Sequence, residues 1–340
     1  MLNEFASAVE QTLTQWLGYT PTLNEMILIP MVPVFAGSFL LEWFTVRRRT
    51  GSWSAGRGER FYWRETLANF SLGAGYYVSG ALMNLLFVAA AFTVAWEYRF
   101  FTVPVNAWTV VLAFFVQEFC YYVFHRTSHR VRWFWCQHVS HHTGVVMNMS
   151  TAARQSILNG VVGTWLFYLP AVLLGFSPEI ILGLLAANLS FQWFVHTESV
   201  GKLHPWLEWW FNTPSNHRVH HGRNPKYIDK NYGGVIMLYD HLFGTYQAEQ
   251  EAVEYGIVRQ IKSHNWFVLN MHEMVDMFRD IMAPGPVSER LKHLWKPPEW
   301  NRAGHAAIHT WPVEEANPDH PVDPPMPRAP VPTGCGETTG

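Results

Sequence analysis

The sequence predicts an all-α integral membrane protein with about four to five transmembrane helices and a cytoplasmic helical cap rich in histidine. Three observations carry that fold class. Apolar residues make up 49% of the 340 and charged residues only 15%, and 17 Trp, 23 Phe and 13 Tyr add a membrane-like aromatic load. Several uncharged stretches are long enough to cross a bilayer core, which takes about 20 residues of helix. Finally, nine of the 17 histidines fall at or just beyond the ends of those stretches.

Residues 1–25 read as an extracytoplasmic segment with Glu4, Glu10 and Glu25 but no Lys or Arg. Met26–Val46, apolar apart from Glu42, is the first span; Arg47, Arg48 and Arg49 follow directly, with Arg57, Arg60 and Arg64 close behind. The excess of basic residues on cytoplasmic loops puts the N-terminus outside and residues 47–65 inside. Ala68–Trp96 and Phe101–Gln117 are the second and third spans. Gln155–Pro178 and Ile180–Val195, joined by the turn Gly175–Glu179, form a tight hairpin that need not cross fully. Alternation then returns residues 125–155 and everything after His196 to the cytoplasmic side, together with Arg126, Arg130, Arg132, Arg218, Arg223, Lys226 and Lys230. No basic n-region with a short apolar core precedes the first span, so no cleaved signal peptide is expected. Residues 26–295 are expected to form the main domain, and 296–340, ending in "PPMPRAPVPTGCGETTG", a Pro-rich flexible tail. A bacterial inner membrane is favoured over the endoplasmic reticulum.

A net charge of −2 argues against a nucleic-acid partner. Cys120, Cys136 and Cys335 make neither a CxxC pair nor an even disulfide framework, so metal chemistry has to rest on histidine.

The histidines come in sets. His125 and His129 are four apart in "FHRTSHR"; His138, His141 and His142 follow as HxxHH in "CQHVSHH"; His196 stands alone in "FVHTES"; and His217, His220 and His221 repeat HxxHH in "NTPSNHRVHHGRN". Residues three and four apart share a helical face. A lone histidine is ordinarily a packed or interfacial residue, but that reading does not explain three sets at one membrane face. Nine imidazoles exceed the three or four that one zinc takes, so the count fits two metals. A nitrogen-only ligand set with open positions suits a non-haem iron pair that activates dioxygen, whereas a zinc pair would hydrolyse or hydrate. The competing reading is a zinc-binding transporter or hydrolase, and a transporter should hold its ligands at mid-bilayer.

Around the histidines, Glu118 lies seven residues before His125 on one helical face, where its carboxylate is a candidate to accept the free N–H of a ligating imidazole. Glu198, Asp229 and Asp240 are further candidates for the same task. Arg154, Arg218 and Arg223 are weaker ones for holding a lipid phosphate or a reductant's carboxylate. His204, His241, His264, His272, His293, His305, His309 and His320 lack ligand spacing and read as surface or packing residues. Trp206, Trp209 and Trp210 read as an interfacial aromatic belt.

The order HxxxH, HxxHH, lone His, HxxHH, with spans before and between, resembles the fatty acid hydroxylase and sterol desaturase superfamily of integral membrane di-iron enzymes. "EFCYYVFHR", "STAARQS", "FVHTE", "NTPSNHRVHHGRN", "IDKNYGG" and "FGTY" are most similar to its alkylglycerol monooxygenase branch and bacterial relatives, over roughly residues 30–300. The resemblance implies an O2-dependent monooxygenase acting on a lipid alkyl chain drawn from the bilayer, with His125, His129, His138, His141, His142, His196, His217, His220 and His221 as ligands of two irons. It implies electrons from tetrahydrobiopterin or from NAD(P)H through a redox partner. A sterol, sphingolipid or fatty acid hydroxylase or desaturase of the same superfamily is the alternative. One departure is Asn216, where that branch tends to carry another histidine.

Overall fold

The computed structural model describes residues 2–50, 59–311 and 313–315. Arg57, His320, Cys335 and the Pro-rich run from 316 onward lie outside the described residues, as do the side chains of Glu4, Arg49 and Arg60. Helix α1 spans Leu2–Leu17 and α2 Leu23–Thr50. Helix α3, Glu59–Met83, passes through a wide π turn at Asn84–Val88 into α4, Ala89–Glu97. Then come α5, Ala107–Arg130; α6, Arg132–His142; α7, Pro178–Val195; α8, Pro214–His220; and α9, Trp266–Met282. A short strand β1, Arg259–Ile261, pairs antiparallel with β2, Val313–Glu315.

Among the described residues, four helical stretches are long and apolar enough to cross a membrane: Leu23–Arg48, Trp63–Glu97, Ala107–Arg130 and Pro178–Val195. They make this a multi-pass membrane protein. Two of the expected spans are corrected. The third starts at Ala107 rather than Phe101, because Pro104 precedes a capping box in which Asn106 accepts from the Thr109 amide and Thr109 Oγ1 accepts from the Asn106 amide. The helix then continues to Arg130 and carries His125 and His129.

The segment expected to span as Gln155–Pro178 is not one helix but three short pieces, Leu158–Val161, Thr164–Tyr168 and Leu169–Leu173. Gly163, at φ 86°, ends the first piece in the left-handed region, and Pro170 cannot continue a helical hydrogen-bond ladder. The segment still travels the length of the bundle. Its start lies beside His141, where Gln155 Nε2 approaches His141 Nδ1 at 3.4 Å, and its end is tied to the chain before α5 by Phe100 N–H to Leu173 O at 2.7 Å and Val103 N–H to Gly175 O at 2.9 Å. The histidine sets before and after it therefore meet at the same end of the bundle.

An apolar cluster of Phe92, Ala113, Cys120, Tyr168, Val172 and Ile181 joins α4, α5, the short pieces and α7. Buried acids fasten the site-facing helix ends. Glu42 on α2 accepts from the Met149 amide at 2.8 Å and from Thr197 Oγ1, and Glu65 on α3 is bridged to Arg154 at 2.9 Å. Packing also extends past residue 296. Arg302 donates to the Asp280 carbonyl at 2.8 Å and the Ile308 amide to the Asp280 carboxylate at 3.0 Å, which lays residues 302–310 along α9.

Candidate metal centre

All nine histidines gather, and they sort into two groups. His125, His129, His138, His142 and His220 form one; His141, His196, His217 and His221 form the other; within each group one nitrogen per ring lies within 4.8 Å of the rest. Every one is buried. Each HxxHH set feeds both groups, with opposite assignments. On α6 the pair His138 and His142 joins the first group and His141 the second; on α8 the pair His217 and His221 joins the second and His220 the first. Four residues bring a side chain back to the same face, whereas one residue turns it by about 100°, so adjacent histidines must serve different neighbours. Local signals place α8: Thr213 caps it by accepting from the Asn216 amide, and Pro214 occupies its first turn.

The inner nitrogens are fixed by carbonyls. His125 Nδ1 lies 2.9 Å from Tyr232 O, His220 Nδ1 3.0 Å from Lys230 O, His196 Nδ1 2.6 Å from Gln192 O and His141 Nδ1 3.2 Å from Arg154 O. A carbonyl only accepts, so each of these Nδ1 atoms carries the hydrogen and leaves Nε2 as a bare lone pair. Those Nε2 atoms point at one another. His141 and His196 place theirs 3.2 Å apart with no hydrogen available to either, His125 Nε2 sits 3.0 Å from His138 Nε2, and His196 Nε2 sits 2.8 Å from His217 Nε2. His129 Nε2 and His220 Nε2 have no partner. Converging buried lone pairs are costly alone and satisfied by a cation between them. The donor set therefore fits two metal ions.

Electrostatics agree. Burial, with neighbouring imidazoles adding to it, holds His138, His141, His142, His217, His220 and His221 well below the usual histidine range, and burial pulls His196 down to about 4. Neutral imidazole is the form that binds metal.

Residues 110–245, which hold all nine histidines, match the family model described as Fatty acid hydroxylase. Over that segment the chain is similar to the fatty acid hydroxylase family. Alkylglycerol monooxygenase from Homo sapiens is 40% identical over 207 residues, covering 60% of this chain and 46% of that protein. The protein of that name from Danio rerio is 33% identical over 269 residues, covering 79% and 58%. Ornithine lipid hydroxylase OlsE from Rhizobium tropici is 28% identical over 140 residues, covering 41% and 42%. The chain spans about half the length of the curated relatives it matches. No solved structure gives a significant match.

Within this matching segment the expected supporting residues part ways. Asp229 comes nearest to an imidazole: its carboxylate lies 3.6 Å from His129 Nδ1 and is paired with Arg130. Burial pushes that carboxyl up, but His129 and Arg130 outweigh it and hold it below its usual range. Glu118 does not meet an imidazole through its recorded bonds. One oxygen accepts from the amides of Val235 and Ile236 at 2.8 and 3.0 Å, the other from Asn188 Nδ2. Seven residues of helix cover about 10.5 Å, too far for a shared face to become a contact. Glu198 accepts from the Tyr255 hydroxyl at 3.1 Å. Asp240 accepts from the amides of Tyr232 and Gly233 at 2.8 and 2.7 Å, and burial pushes it up to about 6.

Two arginines are also corrected. Arg154 is buried, bridged to Glu65 and bonded to Asn69 and Thr143; Arg218 is paired with Glu249 at 2.8 Å and donates to the carbonyls of Thr197 and Val200. Neither is placed to hold a phosphate or carboxylate from outside. Arg223 alone of the three lines the cavity beside the first histidine group. Asn216 stands outside both groups and donates to the carbonyls of Glu208 and Phe211 at 2.7 and 3.0 Å.

The loop 228–236 is the part that spacing did not reveal. It delivers two of the fixing carbonyls, Lys230 O and Tyr232 O, and is itself clamped from below by Glu118 and Asp240. Asn212 Nδ2 holds Gly233 O at 2.9 Å and Gly234 O at 3.1 Å. The phrase "IDKNYGG" fits this path: Asp229 and Asn231 adopt φ of 60° and 58°, which short polar side chains tolerate, and a Cβ on Gly234 would collide with Asn188.

Proposed function

We propose that the chain is a membrane-bound, O2-dependent lipid monooxygenase whose nine histidines hold two irons, and that its substrate is an alkylglycerol ether. The observation that carries this is the double group of buried imidazoles, four of them fixed by backbone carbonyls, with no thiolate among them. Two irons bound there supply reduction of dioxygen and oxygenation of a C–H bond. One oxygen atom enters the C–H bond beside the ether oxygen; the other leaves as water, with two electrons and two protons from the reductant. The resulting hemiacetal collapses to a fatty aldehyde and a glycerol. The protein's own part is to keep the Nδ1–H of His125, His141, His196 and His220 on backbone carbonyls with Nε2 bare, to orient His129 through Asp229, and to keep water from the buried groups. The reductant is tetrahydrobiopterin, or NAD(P)H acting through a redox partner.

The resemblance to alkylglycerol monooxygenases favours the ether substrate, and the match to OlsE keeps a hydroxylated polar lipid as the second reading. We place the histidine end of the bundle in the cytoplasm and the chain in a bacterial inner membrane. Arg47, Arg48, Arg126 and Lys230 all lie toward that end in sequence, which supports the orientation. The test is oxygen consumption and aldehyde release by detergent-purified protein given 1-O-hexadecylglycerol and a reduced pterin. Lipid-dependent uptake with aldehyde supports the ether reading. Uptake with ornithine lipid but not with the ether moves the substrate to the second reading, and uptake with neither lipid under either reductant rejects the monooxygenase.

A further inference from the structure

His272 was grouped with the packing histidines by its lack of spacing, but its surroundings set it apart. A cavity of about 400 Å³ is lined by His129, His142 and His220 of the first histidine group, by His221 of the second, and by residues of α9, His272 among them. The acids of the α9 wall are engaged: Glu273 accepts from Arg132 Nε at 2.6 Å, and Asp276 from the Thr310 amide at 2.9 Å. His272 is 3% exposed, its Nδ1 lies 3.0 Å from the Val268 carbonyl, and its Nε2 has no partner.

The carbonyl fixes the tautomer, since only an Nδ1–H can bond to it; Nε2 is then an acceptor. Burial also draws the His272 pKa down, which keeps the ring neutral. A buried acceptor with nothing to accept is costly, so its retention points to a ligand that satisfies it. Arg223, also on the cavity wall, directs its Nε toward Glu254 at 3.7 Å, which leaves His272 Nε2 as the unengaged acceptor of this wall.

We propose that His272 is a specificity-determining residue whose Nε2 accepts a hydrogen bond from an uncharged O–H or N–H donor of the molecule occupying this cavity. The donor is either a hydroxyl of the lipid's polar head or a ring N–H of the reductant. This rests on the monooxygenase reading above for what enters the cavity, and on the structure alone for the acceptor.

The experiment measures binding of 1-O-hexadecylglycerol and of a tetrahydropterin, each alone, to the iron-loaded full chain under argon, where no turnover occurs. His272→Phe keeps ring volume and removes the acceptor, while His272→Gln puts Oε1 near the place of Nε2. The expected result is that His272→Phe weakens one probe by about tenfold to a hundredfold, while His272→Gln stays within about threefold of wild type. Weakening confined to the lipid assigns the donor to the hydroxyl; weakening confined to the pterin assigns it to the ring N–H. Unchanged binding of both probes by His272→Phe with its iron retained overturns the proposal, and so does a loss that His272→Gln shares.

Should His272→Phe not fold, wild type is tested with the di-O-methyl ether of the lipid and an N-methylated pterin, and unchanged affinity for both overturns it. Wild-type protein that binds neither unmodified probe overturns it as well. Binding without any turnover in air leaves the acceptor role standing and rejects only the monooxygenase reading.

Discussion

Two regions of this molecule concentrate buried imidazoles, and they differ in what surrounds them. Around α9, His293 and His305 sit with Arg132, Arg302 and Asp280: His305 Nε2 lies 2.7 Å from Asp280, Arg132 is bridged to Asp280 at 2.7 Å and to Glu273 at 2.6 Å, and Arg302 donates to the Asp280 carbonyl. Charges there are paired, and of the region's hydrogen-bonding groups His293 Nε2 is left without a partner. Among the described residues one carboxylate pairs with the nine histidines, Asp229 at His129, and elsewhere lone pair faces lone pair. The first region is an ion-pair network, balanced in charge, that docks residues 302–310. The second is incomplete as protein alone, and a metal completes it.

The sharpest way to break the contrast is to remove ligands. His220→Ala and His141→Ala each delete one ring from one group, but each HxxHH set serves both, so either variant disturbs the pair. We expect iron binding and oxygen uptake to fall by a factor on the order of a hundred or more while the protein still folds in detergent. Near wild-type uptake in either variant contradicts the assignment of that ring.

The opposite result is expected for the network. Asp280→Asn leaves Arg132 and His305 without their carboxylate and costs about 3 to 5 kcal/mol, as breaking a buried pair does. Folded Asp280→Asn protein should nonetheless bind the same amount of iron, as measured by metal analysis of the monomeric fraction. Loss of iron from that fraction would mean the two regions are not separate. Asp229→Asn is intermediate: it keeps a hydrogen-bonding group beside His129 but removes its charge, and should lower metal affinity or activity by about 10- to 100-fold with little change in melting temperature.

The smallest effect is a pH dependence of the metal-free protein. Unfolded histidines titrate near 6.5, while the folded groups are held far below that, His196 at about 4. As pH falls through about 6.5 the unfolded chain takes up protons that the folded chain refuses, so folding stability drops as pH falls and is fully present only above that value. Melting temperature of chelator-treated protein should decline from pH 7.5 to pH 5.5. A flat profile shows that the histidines are solvated when metal-free.

The ligands were legible in the sequence because helical geometry is local. Spacings of three and four among His125, His129, His138, His141, His142, His217, His220 and His221 translate directly into shared or adjacent faces. The supporting residues were not legible, because their partners lie far along the chain. Glu118 meets Val235 and Ile236, Arg154 meets Glu65, and Arg218 meets Glu249, separations that no local period encodes. The same limit applies to the basic residues: Arg132, Arg154 and Arg218 look like a charged membrane face in sequence, and each is buried in an ion pair. Span boundaries moved where local chemistry outweighed hydropathy, at the Asn106 cap and at Gly163. His272 went unnoticed because an unpartnered nitrogen has no sequence signature.

The account stands most directly on metal content. Iron in detergent-purified wild-type protein from iron-replete cells, quantified per chain by mass spectrometry beside His138→Ala and His217→Ala, tests it in one step. The expected result is about two irons per wild-type chain, with each variant losing at least one. Zinc alone, a single metal, or iron that survives in both variants would contradict the two-metal assignment.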